Sequence, residues 1–281
     1  MDKLNDKGVV ITGAASGIGE ALAHALAAQG AKLLLCDVDA PRLVAVAAAI
    51  SASGAACAWQ VADVAQAAHW QQLAERAQAL WGGADVLINN AGVALVAPVL
   101  SVDEADARWL MEINFWGVWH GCRAFAPQLR ARPRALIVNV SSIFAMVSMP
   151  TQSIYNASKA AVRAFSDALR LELADTSVAV LCVHPGGIHT RIAHNARRGD
   201  ISMVAASPQA LVAQFARMAP TSPAAAAQAI VRAMQTRRTR LLIGADARVA
   251  DWIYRLAPSR ASSWFSALAR RERRKFESEK T

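Results

Sequence analysis

Short, continuously apolar runs alternate along the chain with longer stretches whose apolar residues return every three or four positions. The runs "GVVIT" (8–12), "KLLLCD" (32–37), "AACAWQV" (55–61), "DVLIN" (85–89), "ALIVNVS" (135–141), "VAVLCVH" (178–184) and "RLLIG" (240–244) predict strands. Between them the helical period predicts helices at about 17–29, 40–53, 66–81, 101–130, 153–174 and 222–236. Strands that are apolar throughout need cover on both faces, and a helix between successive strands supplies it. The pattern predicts an α/β fold, a doubly wound, seven-stranded parallel sheet with crossover helices. No repeat, linker or low-complexity segment divides it, so 1–245 is expected to form one domain, with a helical C-terminal extension over 246–281.

With 281 residues, 54% of them hydrophobic, the chain can fill one large core. Its longest apolar stretches, such as "LVAVAAAI" (43–50) and "VALVAPVL" (93–100), fall short of the roughly 18 residues of a membrane span. The start, "MDKLNDKGVVITG", is polar and runs straight into a strand, unlike a signal peptide; a cytoplasmic location is expected. Cys36, Cys57, Cys122 and Cys182 have no C-x-x-C spacing and read as reduced thiols, three of them in apolar runs. The net charge of +9 is concentrated: from Arg232 onward thirteen Lys or Arg face five Asp or Glu, leaving the first 231 residues nearly neutral. Such a body is no nucleic-acid binder, and the basic tail needs its own account.

In "ITGAASGIGEA" (11–21), Gly13, Gly17 and Gly19 join the first strand to the first helix. In a doubly wound sheet that turn lies where ligands bind and aims helix N–H groups at a phosphate. A side chain at Gly13 would obstruct the turn, one at Gly17 would hold off a pyrophosphate, and one at Gly19 would keep helix from strand. Asp37 ends the second strand, 18 residues after Gly19, where a carboxylate can accept from the ribose hydroxyls of NAD and repel the phosphate of NADP. Arg42 is the nearest dissenting cation. An alternative has Asp37 capping the next helix and Asp39 meeting the ribose. His184, His189 and His194 recur every five residues, which fits one face of neither helix nor strand, so no metal is expected.

"TGAASGIG" (12–19), "NNAG" (89–92), "INFWG" (113–117), "NVSSIFAMVSMPTQSIYNASKAAV" (139–162) and "HPGGIHT" (184–190) resemble, in order and spacing, the motifs of classical short-chain dehydrogenases/reductases over about residues 5–245. The resemblance implies a Rossmann-type domain that binds a nicotinamide cofactor, and Asp37 makes NAD the expected one. It implies that Tyr155 exchanges a proton with the substrate oxygen, that Lys159 lowers its pKa and holds the nicotinamide ribose, and that Ser142 bonds the substrate oxygen. Ser141, adjacent, is the alternative to Ser142. Asn114 would hold a water in a relay from Lys159 to solvent. Cofactor contacts are expected from Gly13, Ser16, Gly17, Ile18, Gly19, Asp37, Asp63, Val64, Asn90, Ala91, Gly92, Tyr155, Lys159, Pro185, Gly186, Ile188 and Thr190, with Asn89 beside the adenosine. Ala145 departs from the family, which usually has glycine three residues after the serine.

Two apolar loops, about 143–152 and 188–222, are expected to set the substrate through Ile143, Phe144, Met146, Val147 and Met149 in one and Ile192, Met203, Leu211, Phe215 and Met218 in the other. They imply a hydrophobic secondary alcohol or ketone, steroid-like, retinoid-like or fatty. Competing readings are an NADPH-dependent ketone or 3-oxoacyl reductase and a non-catalytic NAD-binding regulator. The resemblance implies a homodimer or homotetramer. In the tail Val249, Trp252, Ile253 and Leu256 share a helical face, and Trp264, Phe265 and Leu268 precede "RRERRKF". That face either packs on the domain or a partner subunit, or makes peripheral membrane contact.

Overall fold

A computed structural model describes residues 4–261 and 263. Strands β1 (Gly8–Thr12), β2 (Lys32–Asp37) and β3 (Cys57–Val61) alternate with helices α1 (Gly17–Ala27), α2 (Ala40–Ala52) and α3 (Ala67–Trp81). After β4 (Val86–Asn89) come the two-residue β5 (Leu95–Val96), α4 (Glu104–Met111), a π-helical turn (Glu112–Trp116) and α5 (Gly117–Arg130). Then follow β6 (Ala135–Val140), a 3-10 turn (Ile143–Ala145), α6 (Ser153–Glu172) and β7 (Val178–Pro185). The two-residue β8 (Arg197–Arg198), α7 (Pro208–Arg217), α8 (Pro223–Gln235), β9 (Arg240–Ile243) and α9 (Ala245–Leu256) follow, and a short helical turn begins at 258.

The main sheet has seven parallel strands in the order β3-β2-β1-β4-β6-β7-β9. Its centre is dry because β1, β4 and β6 are buried at every residue. Alternation divides their side chains between two layers: Val9 and Ile11 pack with Leu22, Leu26 and Ile230, while Val10 packs with Trp70, Leu73 and Phe125. The expected doubly wound α/β fold is therefore present. Chain order reverses between β1 and β4, and the carboxyl ends of these two strands open the crevice that such sheets use for ligands.

Local chemistry sets the helix ends. Asp39 caps α2 by accepting from the Arg42 N–H at 3.3 Å, and Pro41 suits its first turn. Gly82 ends α3 in the left-handed conformation at φ +67°. Ser207 and Ser222 cap α7 and α8, each ahead of a proline.

Some boundaries differ from expectation. The helix expected at 101–130 starts at Glu104, after its cap Asp103, and carries the π-helical turn, whose extra residue per turn apolar periodicity does not resolve. The third strand begins at Cys57 rather than 55. The stretch 188–222 is not one loop: it contains β8, paired with β5 in a separate two-stranded sheet, and α7. Cys36, Cys122 and Cys182 are buried and Cys57 half-buried, all as free thiols. Trp264, Phe265, Leu268 and the "RRERRKF" segment lie outside the described residues. No helix among the described residues is long and apolar enough to cross a membrane.

Candidate active site

At the β1–α1 junction, Gly13 and Gly17 have φ of +64° and +59°, values that favour glycine. A Cβ on Gly13 would lie 2.8 Å from the Ala91 Cα, and one on Gly19 would fall on the Gly13 carbonyl oxygen. Gly19 therefore lets α1 close on the turn, as the spacing predicts. Opposite Gly17 stands Thr190, whose Cγ2 is 3.1 Å from where a Cβ would be. Ser16 precedes α1 without a side-chain cap, so the first N–H groups of this helix face the cleft with no side-chain acceptor from the cap residue. Glycine cradle and helix end together fit a pyrophosphate.

Asp37, at the end of β2, accepts from the Ala15 N–H at 2.9 Å and the Asp39 N–H at 3.0 Å, which fixes its carboxylate beside the glycine turn. Asp39, and not Asp37, caps the next helix, which corrects the capping part of the alternative reading. Arg42 lies 3.5 Å from the Asp39 carboxylate and lines the same cleft. Asp63 lines the same cleft and accepts from the Ala65 N–H at 2.9 Å. Val64, Ala91, Ile18, Pro185, Gly186 and Ile188 also face it.

Two asparagines do work the sequence did not announce. The Asn90 amide donates to the Thr12 and Gly13 carbonyls at 2.9 and 3.1 Å, bracing the glycine turn from below. Asn89, expected beside adenosine, is buried and turned away: it donates to Asn139, which donates to Ser166, a polar ladder between sheet and α6. As the last residue of β4, Asn89 follows the strand's alternation into the helix layer.

The four residues expected in catalysis converge from three elements. Tyr155 and Lys159 sit one turn apart on α6, with the Lys159 Nζ 5.8 Å from the Tyr155 ring centre. Ser142, just after β6, hydrogen-bonds the Tyr155 side chain. Ser141 gives its hydroxyl to the Lys159 carbonyl at 2.8 Å, leaving Ser142 as the serine that faces the phenol. Lys159 Nζ donates to the Val140 carbonyl at 3.1 Å. Asn114, in the π-helical turn, is fully buried; it accepts from the Val93 N–H at 2.8 Å and donates to the Val93 carbonyl and Ser158. A Cβ on Gly92 would sit 3.2 Å from Lys159 Nζ and 3.3 Å from Asn114 Oδ1, so glycine there leaves the gap between the two groups open.

Burial sets the ionisation of this cluster. It raises the Tyr155 phenol above its ordinary value, opposed by the Ser142 hydrogen bond, and lowers Lys159 to about 8. Burial, rather than the Lys159 ammonium 5.8 Å from the ring centre, dominates the ionisation of the phenol, and Lys159 Nζ is held by the Val140 carbonyl.

Beneath Ser142, His184 is buried with Nδ1 3.3 Å from the Ser142 carbonyl, and burial lowers its pKa from 6.5 to about 4. The unfolded chain therefore binds the extra proton between these values, and stability must fall as pH drops from about 6.5 toward about 4. Denaturant unfolding at several pH values should show wild type losing on the order of 3 kcal/mol more than His184→Gln across that window. Equal losses would remove His184 from the acid response.

The cleft has a volume of about 870 Å³, and every expected cofactor residue lines it except Gly19, which lies under the turn, and Asn89, which points into the helix layer. Of the expected apolar substrate residues, eight line it; Met146 and Met203 do not. Met146 is buried next to Arg240, and Met203 is 56% exposed. A residue the sequence reading missed is Asp246, whose carboxylate accepts from the Gly187 N–H at 2.6 Å and so ties the start of α9 to the Pro185-Gly186-Gly187 turn. The signal available was an acid two residues beyond Gly244, at the carboxyl end of the last strand.

The short chain dehydrogenase family model matches residues 7–200. A Mycobacterium tuberculosis protein named as an oxidoreductase, SadH, is 38% identical over 263 residues, covering 92% of this chain and 94% of its own. Among solved structures, a short chain dehydrogenase/reductase from Burkholderia phymatum in complex with NAD aligns with TM-score 0.81 and 31% identity over 91% of this chain and 96% of that one. An alcohol dehydrogenase from Thermococcus sibiricus complexed with 5-hydroxy-NADP aligns with TM-score 0.71 and 25% identity over 85% and 96% of the two chains. Fold and cleft are those of an oxidoreductase that binds a nicotinamide cofactor. The chain belongs to the short-chain dehydrogenase/reductase family.

Proposed function

We propose that this protein is an NAD-dependent dehydrogenase/reductase acting on a hydrophobic secondary alcohol or its ketone. The observation that carries this reading is the meeting of Ser142, Tyr155 and Lys159 at one wall of an apolar cleft whose other end holds Asp37. Gly13, Gly17, Ser16 and the α1 N-terminus would take the pyrophosphate, Asp37 the adenosine ribose, Asp63 and Val64 the adenine side, and Ile188 and Thr190 the carboxamide. Bound there, the nicotinamide supplies the hydride acceptor or donor.

The chain's own groups manage the proton. Ser142 donates to the substrate oxygen and holds it at the Tyr155 hydroxyl. Tyr155 gives its phenolic proton to a ketone oxygen in reduction and takes the hydroxyl proton in oxidation. Lys159 stabilises the phenolate and holds the nicotinamide ribose, and the gap that Gly92 leaves beside Asn114 takes the water that passes the proton onward. Ile143, Phe144, Val147, Leu211 and Phe215 exclude bulk water from the substrate.

One observation favours NADP as a second reading: Arg42 lines the cleft. Its contact with Asp39 and the carboxylate of Asp37 weigh against it. The domain is taken as residues 1–245 with an extension over 246–281, cytoplasmic and assembled as a homodimer or homotetramer.

The test is NADH absorbance on mixing protein and NAD with a panel of hydrophobic secondary alcohols, steroids included, against NADP. The expected result is NADH formation with at least one alcohol and little reaction with NADP. Tight NAD binding without turnover of any panel member would favour the non-catalytic regulator.

A further inference from the structure

Helix α9 has two chemically different faces. Its inner face buries Ala247 and Ala250 with Ile143 and Phe144, and Asp251 beside Arg240, and Ala250 lines the cleft. Its outer face carries Val249, Trp252 and Leu256, which are 58%, 68% and 68% exposed. Spaced three and four residues apart, they lie in one row along the helix. Single exposed apolar side chains are ordinary on a protein surface, but an aligned row centred on an indole marks a contact.

The exposed charges of α9 are mainly positive, Asp246 being its one exposed acid. Arg248, Arg255 and Arg260 are exposed beside it, and Arg248 and Arg260 make no ion pair among the described residues. Both acids of α9 are engaged elsewhere: Asp246 holds the Gly187 N–H, and Asp251 is buried between Arg240 and Arg255. The sequence that follows is also net basic, with Arg270, Arg271, Arg273, Arg274, Lys275 and Lys280 against Glu272, Glu277 and Glu279. A second copy of the chain meeting this face symmetrically would set two basic surfaces against each other. An anionic surface would not.

We propose that the outer face of α9 docks on a phospholipid bilayer containing anionic lipids, with Trp252, Val249 and Leu256 entering the interface and the arginines meeting headgroup phosphates. The inner face of the same helix walls the cleft, so docking brings the cleft within one helix diameter, about 10 Å, of the headgroups on that side. This proposal is independent of which alcohol is oxidised and of the cofactor preference.

Co-sedimentation of the full-length protein with vesicles of phosphatidylcholine, alone or mixed with phosphatidylglycerol, tests it. Wild type should bind the mixed vesicles only and release them as salt rises. The triple variant Val249→Ser/Trp252→Gln/Leu256→Gln should bind roughly tenfold or more weakly, with melting temperature and NAD affinity preserved. A second variant, Arg248→Glu/Arg260→Glu, alters only exposed side chains and should weaken binding in the same direction. No binding by wild type would overturn the proposal, as would undiminished binding by both variants. So would concentration-dependent self-association that the triple variant abolishes, which would identify a second copy as the occupant.

Discussion

Replacing Tyr155 with Phe is expected to lower turnover roughly 10²- to 10⁴-fold, the usual contribution of a positioned acid/base group, and to leave NAD affinity essentially unchanged. The ring packs edge-on against Phe144, with centroids 6.1 Å apart and planes at 88°, and phenylalanine preserves that contact. Lost is the hydroxyl alone, with its bond to Ser142. NADH formation at saturating substrate, paired with a dinucleotide titration, separates the two effects. Retained turnover would dispose of the assignment. Wild type should also show opposite pH trends in the two directions. Burial keeps the phenol protonated at neutral pH, so ketone reduction is favoured there and alcohol oxidation rises as the solution becomes more alkaline. Above about 8, Lys159 loses its charge and with it the stabilisation of the phenolate.

The second large effect is expected at Asp37. Asp37→Arg should shift the ratio of kcat/KM for NAD over NADP by roughly 100-fold or more toward NADP, since a like-charge contact worth several kcal/mol becomes an attraction. The carboxylate lost also accepts from the Ala15 and Asp39 N–H groups, so absolute affinity for both dinucleotides should fall somewhat. An unchanged ratio would show that Asp37 does not face the ribose and would reopen the case for Arg42.

Seven strands and their parallel arrangement were legible because each core strand is apolar on both faces, a pattern with few other solutions. Glycine positions were legible for a similar reason: Gly13 and Gly19 have backbone atoms where a side chain would be. Less legible was anything decided by direction. Asn89 and Asn90 are neighbours of identical chemistry, yet one braces the glycine turn and the other points into the helix layer. Strand alternation could have separated them had the strand's last residue been certain, and strand ends are what periodicity defines worst. Met146 and Met149 were likewise indistinguishable as letters in one loop, although Met149 lines the cleft and Met146 packs by Arg240. Asp246 escaped notice because its partner is a backbone N–H 59 residues away, a contact with no sequence signature.

The π-helical turn at Glu112–Trp116 makes the placing of Asn114 a matter of length as much as of identity. Such a turn accommodates one residue more than α-helical geometry would, and each residue turns the helix by about 100°. Removing any one residue between Leu110 and Gly117 would let the helix rewind to regular form and swing the asparagine away from the Val93 backbone that it clasps through both amide atoms. A variant library built only from substitutions would sample almost none of that sensitivity. A scan of single-residue deletions would find it at once.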